Sequence, residues 1–313
     1  MGWSAEDIPD LRGRTALITG GSAGLGLETA RVLAARGARV VIACRDTARG
    51  RAVADGLGGR AQVVRLDLAS LESVREAAAE VRRRHDRLDL LVNNAGVMFP
   101  AYRRTKDGYE AHFGVNHLGH FALTGLLLGL LQEVPGSRVV TMASLAHKAA
   151  VGGGGLDRAR AGTDRRSVVA YGRSKLANLL FARELQRRLA ASGSAAVSVA
   201  AHPGLSATAL WSGDAPGWLR LVSGAALRWL GQPPAQAALP VLRAAADPLV
   251  PGGSYLGPGG FQECRGAPVR VGSSRAAQDL SAQARLWELS QELTGVRYGG
   301  ADASAAAAVE AGR

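Results

Sequence analysis

The stretch TALITGGSAGLG, residues 15–26, joins a short apolar run to a glycine-rich turn, and helix-forming residues follow. The apolar run has the length of a buried β-strand. Gly20, Gly24 and Gly26 follow the pattern G-x-x-x-G-x-G, which allows a tight turn and lets backbone approach a pyrophosphate at a helix N-terminus. The stretch therefore predicts a nucleotide-binding βα unit at the start of the fold.

Further apolar runs rich in valine and isoleucine alternate with alanine-rich helical stretches along the chain. They are RVVIAC (39–44), QVVRL (62–66), LDLLVN (88–93), SRVVTMAS (137–144), AAVSVAAH (195–202) and GSYLG (253–257). Strands that are apolar throughout are typical of parallel sheets covered on both faces. The sequence predicts an α/β fold, a Rossmann-type doubly wound sheet of about seven mainly parallel strands with helices on both faces. Ligands bind such sheets at the carboxyl ends of the strands.

The predicted domain organisation is a leader at 1–10, a single domain at 11–298 and a disordered tail at 299–313, which has little to bury. The stretch before residue 14 contains acidic residues and no apolar core, so a signal peptide or membrane anchor is not expected. The apolar run at 121–131 is shorter than a bilayer-spanning helix, and we expect it to be a buried helix.

The composition excludes several classes of function. A formal charge of +12 could indicate a nucleic-acid partner, but the arginines are scattered and no recognition motif accompanies them, so none is expected. Cys44 and Cys264 form neither a disulfide framework nor a metal site. We therefore expect no metal, no membrane partner and a cytoplasmic location.

The end of the second strand bears on the choice between NAD and NADP. The strand ends in Cys44, Arg45 and Asp46. An arginine at this point pairs with the 2′-phosphate of NADP, whereas a carboxylate bonds the ribose hydroxyls of NAD. Asp46 could do the latter, but it also precedes a helical run, and we favour an N-cap role for it. The sequence thus favours NADP(H) over NAD(H).

Two further strand ends add expected contacts to the nucleotide. Asp67 directly follows the third strand and could accept a hydrogen bond from the adenine amino group, with Leu68 contributing a backbone contact. Alternatively, Asp67 caps the helix expected at 70–84. The motif NNAG (93–96) follows the fourth strand, where small residues let the backbone pass beside the cofactor ribose.

The stretch AYGRSKLANLLF (170–181) places Tyr171 and Lys175 on one face of a helix. Their spacing alone fits either an incidental surface pair or a proton-transfer device. Carbonyl reduction needs a proton donor with a pKa near the working pH, and lowering the pKa of a tyrosine from 10 to 7 requires about 4 kcal/mol. A unit charge at about 4 Å supplies that amount only at an effective dielectric constant near 20. The lysine can therefore activate the tyrosine only in a water-poor cleft.

These motifs, together with Asn116, Ser144 and HPGLSAT (202–208), occur in the order of the short-chain dehydrogenase/reductase superfamily, over roughly residues 12–295. Within it, ACRD, VNHLGHF, SLAH, YGRSKLANLLF and LWELSQELTG resemble the retinol dehydrogenase and WW-domain-oxidoreductase branch. Animal retinol enzymes of that branch usually carry a membrane anchor, which we do not expect here.

The resemblance implies roles for four catalytic residues. Tyr171 would be the general acid/base and Lys175 its tuner, Ser144 would bind the substrate oxygen, and the backbone of Asn116 would hold a water on a proton relay through Lys175. His147 and His202 are alternative bases, although lone histidines beside strand ends are more often structural.

The resemblance also implies contacts to the nicotinamide and a lid. Pro203 and Gly204 would lie against the nicotinamide, Thr208 would reach its carboxamide, and residues 205–230 would form a mobile substrate lid. The complete set of expected cofactor-binding residues is Gly20, Ser22, Gly24, Leu25, Gly26, Arg45, Asp67, Leu68, Asn93, Ala95, Gly96, Tyr171, Lys175, Pro203, Gly204 and Thr208.

The function expected from these motifs is an NADP(H)-dependent oxidoreductase that interconverts a carbonyl and an alcohol on a small lipophilic substrate. Alternatives are reduction of an activated C=C bond and a non-catalytic nucleotide-binding sensor. Helices expected at 107–131 and 168–190 are apolar on more than one side, which favours a homodimer as a further expectation.

Overall fold

The computed structural model describes residues 2–98, 102–150, 167–205 and 232–299. Its strands are β1 Thr15–Thr19, β2 Arg39–Cys44, β3 Ala61–Arg65, β4 Leu90–Asn93, β5 Arg138–Met142, β6 Val197–Ala201, β7 Tyr255–Pro258 and β8 Pro268–Arg270. Its helices are α1 Gly24–Ala35, α2 Thr47–Asp55, α3 Leu71–Arg84, α4 Ala111–Phe113, α5 Gly119–Leu127, α6 Ser167–Ala191, α7 Pro234–Ala237, α8 Leu239–Ala246, α9 Arg275–Gln278 and α10 Leu280–Thr294. A π-helical turn, Gly114–Leu118, joins α4 to α5, and the 3-10 helices are Ala5–Asp7, Leu128–Leu130, Leu145–Ala149 and Phe261–Glu263.

The described strands form one sheet in the order β3-β2-β1-β4-β5-β6-β7-β8. All neighbours are parallel except β7 and β8, which are antiparallel. Every residue of β1, β4 and β5 is buried, as expected for strands covered on both faces. The predicted doubly wound fold is confirmed, with one strand more than expected. The extra strand, β8, has three residues of which two are exposed, so it has no apolar run.

The order of the strands places the ligand site. The chain leaves β1 toward β2 and β3 on one side and returns to β4 on the other, so the strand order reverses between β1 and β4. The carboxyl ends of these two strands flank a crevice, which is where open α/β sheets bind ligands.

The C-terminal helix α10 covers the helices that the sequence offered for dimer contacts. Trp287 of α10 is 1% exposed and contacts the rings of Phe121 in α5 and Phe181 in α6, at centroid distances of 5.2 and 6.0 Å. The Tyr298 hydroxyl donates to the Phe121 carbonyl at 2.6 Å. These apolar faces are therefore packed within one chain.

One continuous helical stretch in the described residues, Ala111–Leu130, is long and apolar enough to cross a membrane by length and composition. This helical stretch is longer than the apolar run at 121–131 because the π-helical turn joins α4 to α5. Some 72% of its most apolar window is buried inside the fold, so the core helix expected from the sequence accounts for it.

The N-terminal residues pack onto the domain, which was expected to begin at residue 11. Ile8 is 2% exposed in the same core cluster as Ile18 and Ile42. Ser4 caps the 3-10 helix Ala5–Asp7, which directly precedes Ile8. Most of the expected lid, 206–230, and most of the expected tail, 300–313, lie outside the described residues.

Candidate active site

A cleft of about 850 Å³ lies at the carboxyl ends of the strands. Most of the cofactor residues expected from the sequence line it, namely Gly20, Ser22, Gly24, Leu25, Gly26, Arg45, Asp67, Leu68, Ala95, Gly96, Tyr171, Lys175 and Pro203. Asn93, Asn116, Ser144 and Gly204 are not among the lining residues, and Thr208 lies outside the described part of the chain.

The glycine-rich turn needs its glycines for backbone geometry. Gly20 and Gly24 have φ values of 68° and 53°, in the left-handed region that other residues rarely adopt. A Cβ atom on Gly26 would overlap the Gly20 carbonyl oxygen and lie 2.5 Å from Asn94 Nδ2. The three glycines thus let α1 start directly against β1 and the residues after β4.

The N-terminus of α1 fits the pyrophosphate of a dinucleotide. Its N-cap is Ala23, which makes no side-chain capping bond. The first N–H groups of a helix have no partner within the helix, and together with the helix dipole they favour an anion. Since this end of α1 lines the cleft, phosphate oxygens of a bound cofactor would complete the turn.

Thr19, at the end of β1, holds the backbone that follows β4. Its buried hydroxyl oxygen accepts hydrogen bonds from the N–H groups of Asn94 and Ala95, both at 2.9 Å. The Asn94 side chain donates to the Thr19 carbonyl at 2.8 Å. Asn93 instead points away from the cleft and donates to the Thr124 hydroxyl at 2.9 Å. Asn94, which was not in the expected set, therefore takes the cleft position assigned to Asn93.

The end of β2 presents basic side chains to the cleft. Arg45 is exposed and lines it, as expected. Asp46 caps α2, because its Oδ1 accepts the N–H of Arg49 at 2.9 Å, which confirms the N-cap interpretation. Arg49 also lines the cleft, although the sequence did not single it out. Its place in the first turn of α2, directly after the strand end, is the signal that could have identified it.

Asp67 lines the cleft and forms a local turn. Its Oδ1 accepts the N–H of Ala69 at 3.0 Å. The side-chain cap of α3 is Ser70, whose hydroxyl accepts the N–H of Ser73, so Asp67 is not the helix cap considered above. More basic residues, Arg103, Arg104 and Lys106, line the cleft and were also not expected.

Tyr171 and Lys175 lie one turn apart on α6 and both face the cleft. Their exposed fractions are 8% and 5%, so the pair is buried rather than on the surface. Lys175 Nζ lies 5.8 Å from the centre of the Tyr171 ring and donates to the Met142 carbonyl of β5 at 3.1 Å. The side chain of Asn178 donates to the same carbonyl at 2.9 Å. The end of β5 thus fixes the lysine beneath the tyrosine.

Burial shifts both groups toward their neutral forms. It raises the pKa of Tyr171 above 10, although a hydrogen bond with the Ser144 side chain opposes the shift. It lowers the pKa of Lys175 to about 8. At neutral pH the tyrosine is therefore protonated and the lysine is still mainly a cation. The site is water-poor, as expected, but the pKa of Tyr171 is raised rather than lowered toward 7, because burial outweighs the hydrogen bond with Ser144.

Ser144 lies two residues after the end of β5 and caps the 3-10 helix Leu145–Ala149. Its Oγ accepts the N–H of Ala146 at 3.2 Å and interacts with the Tyr171 hydroxyl. His147 Nδ1 donates to the Ser144 carbonyl at 2.7 Å. Ser144 thus lies beside Tyr171, in the place expected of a group that binds the substrate oxygen.

Asn116 lies in the π-helical turn Gly114–Leu118 and is fully buried. Its amide group accepts the Val97 N–H at 2.7 Å and donates to the Ser174 hydroxyl at 2.9 Å. Its backbone carbonyl accepts a bond from His120 Nδ1 at 3.0 Å. The side chain of Asn116 therefore supports the cleft wall. Its backbone carbonyl, which was expected to bind a water, already uses one acceptor position for His120. Such π turns are common at functional sites.

The turn after β6 completes the site. Pro203 lines the cleft, and Gly204 has a φ of 68°. The Gly204 N–H donates to His202 Nδ1 at 3.2 Å. Burial lowers the pKa of both rings, that of His202 to about 4, and so favours their neutral forms. Their hydrogen bonds to backbone support the structural role expected for them.

The chain is similar to known proteins over most of its length. The family model for short chain dehydrogenase matches residues 14–216. Mouse retinol dehydrogenase 12 is 40% identical over 293 residues, covering 91% of this chain and 88% of the relative.

Two solved structures are similar as well. The crystal structure of an uncharacterised protein from Mycobacterium paratuberculosis has a TM-score of 0.79 and 41% identity, covering 96% of this chain and all of that one. The active-site complex of Pseudomonas aeruginosa RhlG with NADP has a TM-score of 0.62 and 28% identity, covering 79% and 94% of the two chains.

The expectation of a cytoplasmic location is wrong. Retinol dehydrogenase 12, which matches 91% of this chain, is a membrane-associated protein. The expectation rested on the composition of a short N-terminal stretch and on two cysteines, and neither feature determines where a folded domain resides.

Proposed function

Because the chain belongs to the short-chain dehydrogenase family of oxidoreductases, we propose that it interconverts a carbonyl and an alcohol on a lipophilic small molecule with NADP(H). The observation that carries the proposal is the buried group of Tyr171, Lys175 and Ser144 beside the cleft. Such a group can donate or accept a proton at the oxygen of a bound substrate.

The cleft fits a dinucleotide along its length. The uncapped start of α1 would bind the pyrophosphate, and Asp67 with Leu68 would contact the adenine. A bound nicotinamide cofactor supplies or accepts the hydride. Pro203 and Gly204 would hold the nicotinamide end next to Tyr171, and Thr208, outside the described residues, would add a contact to its carboxamide.

The preference for NADP(H) is argued from the end of β2. Arg45 and Arg49 line the cleft there, and the carboxylate of Asp46 is engaged as the cap of α2. Guanidinium groups bind a phosphate through paired charge-assisted hydrogen bonds, whereas a ribose without phosphate gives them no partner. The similarity to a complex that contains NADP supports the same preference.

Tyr171 is the proposed proton donor to the substrate oxygen. Burial keeps it protonated at neutral pH, which is the form needed for carbonyl reduction. When the proton leaves, the Lys175 cation stabilises the phenolate. At the 5.8 Å between Nζ and the ring centre, this interaction amounts to about 3 kcal/mol at an effective dielectric constant near 20. Ser144 would donate a second hydrogen bond and fix the direction of the substrate oxygen.

The lipophilic substrate class is argued from the cleft wall near the end of β5. Val97, Met98, Met142 and Ala143 line that part of the cleft and carry no charge. A bulky apolar carbonyl compound would bury area against them, which favours it over a charged sugar.

Replacing Tyr171 with phenylalanine tests the proposal. With any lipophilic aldehyde or ketone found active in a screen, we expect Tyr171→Phe to reduce NADPH consumption by about 10²-fold or more, because the proton donor is lost. NADPH binding, followed by its fluorescence, should change only about two- to threefold, since the ring remains. Tyr109→Phe is the matched control, because its hydroxyl donates to the Leu293 carbonyl and it does not line the cleft. Equal turnover in Tyr171→Phe and wild type would exclude the mechanism.

A further inference from the structure

Glu263, on the 3-10 helix after β7, joins segments that follow three neighbouring strands. Its Oε2 accepts a hydrogen bond from His202 Nε2 at 3.0 Å, and its Oε1 accepts one from Lys148 Nζ at 2.9 Å. His202 directly follows β6, and Lys148 lies in the 3-10 helix after β5. One carboxylate therefore bridges the carboxyl ends of β5 and β6 from its own position beyond β7.

The His202 side of this bridge supports the turn after β6. Because His202 Nδ1 accepts the Gly204 N–H, its Nε2 carries the proton that Glu263 accepts. The Leu205 N–H donates to the Cys264 carbonyl at 2.9 Å, and a Cβ on Gly204 would overlap that same carbonyl oxygen. The residues around Glu263 thus form the back of the turn that presents Pro203 to the cleft.

The Lys148 side supports the segment that contains Ser144. Lys148 follows His147, whose Nδ1 donates to the Ser144 carbonyl. His147 Nε2 in turn accepts the Ser274 N–H at 3.2 Å. The cation held by Glu263 therefore lies on the same short helix that Ser144 caps.

The backbone at Glu263 adopts an unusual conformation. Gln262 and Glu263 have φ values of 51° and 58°, the only described non-glycine residues with positive φ. Such residues rarely occupy this left-handed region, and where they do the surrounding structure holds them there, often at functional sites. The Glu263 carboxylate on this turn contacts both His202 and Lys148.

From these contacts we infer that Glu263 is a positioning residue that sets the distance between the substrate-binding Ser144 and the turn at Pro203 and Gly204. The inference rests on the proposed function, in which Ser144 binds the substrate oxygen and the turn at Pro203 and Gly204 faces the nicotinamide. Reacting atoms must approach to about 3–3.5 Å in the right orientation, so a small shift between the two walls lowers the rate. Cofactor affinity depends mainly on the opposite end of the cleft and should change little.

Amide hydrogen exchange in the cofactor-free protein tests the bridge without any activity measurement. In Glu263→Gln the side-chain amide cannot accept hydrogen bonds from both His202 and Lys148 with equal strength. We therefore expect amide hydrogen exchange to accelerate about threefold or more in two segments, at Ala146 and His147 and at Gly204 and Leu205. Glu80→Gln is the matched control. Its ion pair with Arg84 is 26% and 45% exposed, close to the 24% and 48% of Glu263 and Lys148.

Acceleration at both segments in Glu263→Gln, and at neither in the control, supports the bridge. Unchanged exchange, or acceleration at one segment only, overturns it. Because the measurement needs no substrate, it decides the inference even if the proposed reaction is incorrect.

Kinetics then separate positioning from general loss of structure. We expect Glu263→Gln to lower kcat about tenfold while the KM for NADPH changes about twofold or less, since the loss arises in alignment rather than in cofactor binding. Lys148→Met should lower kcat in the same way. The double variant should be no slower than Glu263→Gln alone, because Glu263→Gln already removes the ion pair that Lys148→Met removes.

Additive losses in the double variant, or a rise in KM that accounts for the whole effect, would overturn the inference. Tyr171→Phe, assayed in parallel, reports on the proposed function separately. Activity that survives Tyr171→Phe refutes the proton donor, whereas activity that depends on Tyr171 and is indifferent to Glu263→Gln refutes the positioning role.

Discussion

Replacing Lys175 with methionine should abolish turnover and at the same time stabilise the fold at neutral pH. Methionine keeps most of the volume of the side chain and removes a buried cation. The Met142 carbonyl that accepts from Lys175 keeps a second donor, Asn178 Nδ2 at 2.9 Å, so the substitution leaves no buried carbonyl without a partner. The cost of keeping this lysine in the wild-type fold can be derived from its pKa.

Burial lowers the pKa of Lys175 from 10.5 to about 8, and the difference corresponds to about 3 kcal/mol of unfolding free energy. Between these two values the unfolded chain binds more protons than the folded one, so stability rises with pH. The penalty is fully present below pH 8 and disappears as pH rises above 10.5. Removing the hydrogen bond to Met142 offsets about 1–2 kcal/mol of the gain. A net stabilisation of about 1–2 kcal/mol therefore remains at pH 7.

Urea denaturation of wild type and Lys175→Met at two pH values isolates this effect, because all other titrating groups are common to both proteins. The stability advantage of the variant should shrink by about 2 kcal/mol between pH 7 and pH 9.5. NADPH consumption should be lost at both pH values. An advantage that is the same at both pH values would show that the lysine is not desolvated, and would refute the mechanism that depends on its burial.

Two further substitutions address the ends of β2 and β1. Arg45→Ala should weaken NADPH binding about tenfold or more and NADH binding about twofold or less, since a charge-assisted bond to phosphate is worth about 1.5–3 kcal/mol. Fluorescence titration with both cofactors measures this, and Arg51→Ala, on an exposed residue outside the cleft lining, is the control. Thr19→Val should lower the unfolding free energy by about 2–4 kcal/mol, because the N–H groups of Asn94 and Ala95 lose their buried acceptor. Thr19→Ser keeps that acceptor and should cost less than half as much in urea denaturation.

Equal weakening of NADPH and NADH by Arg45→Ala would contradict the phosphate assignment. An unchanged stability of Thr19→Val, with a loss only in Thr19→Ser, would show that packing of the methyl group, rather than the hydroxyl, holds the residues after β4.

The sequence predicts most of the sheet because its central strands are buried on both faces and read as unbroken apolar runs. The last strand, β8, does not meet this criterion. Pro268–Arg270 has two exposed residues out of three, and its pairing with β7 depends on tertiary contacts that no local pattern records. The packing of α10 against Phe121 and Phe181 is similar, since it covers one apolar side of each helix and no local pattern records it. The homodimer stays a prediction.

Within the site, the sequence predicts residues whose role follows from their own strand end. It fails where two adjacent residues compete for one position. Asn93 and Asn94 are both asparagines, and successive side chains in extended backbone point to opposite sides, so only one of them can face the cleft. Arg103, Arg104 and Lys106 reach the cleft because the segment after β4 folds back over it, with the Lys106 N–H donating to the Ala69 carbonyl. The spacing of residues along the sequence gives no signal of such long-range placement.

The short antiparallel strand β8 has a consequence for the solubility of the chain. A sheet edge exposes unpaired N–H and C=O groups that can recruit a strand from another molecule. β8 covers β7, and it starts with Pro268, which has no N–H, and ends with the charged Arg270. At the opposite edge, β3 has one buried residue, Val64, and its exposed residues are the polar Gln62 and the charged Arg65. Both borders of an otherwise apolar sheet are thus poor templates for further strands, so the fold resists edge-to-edge aggregation.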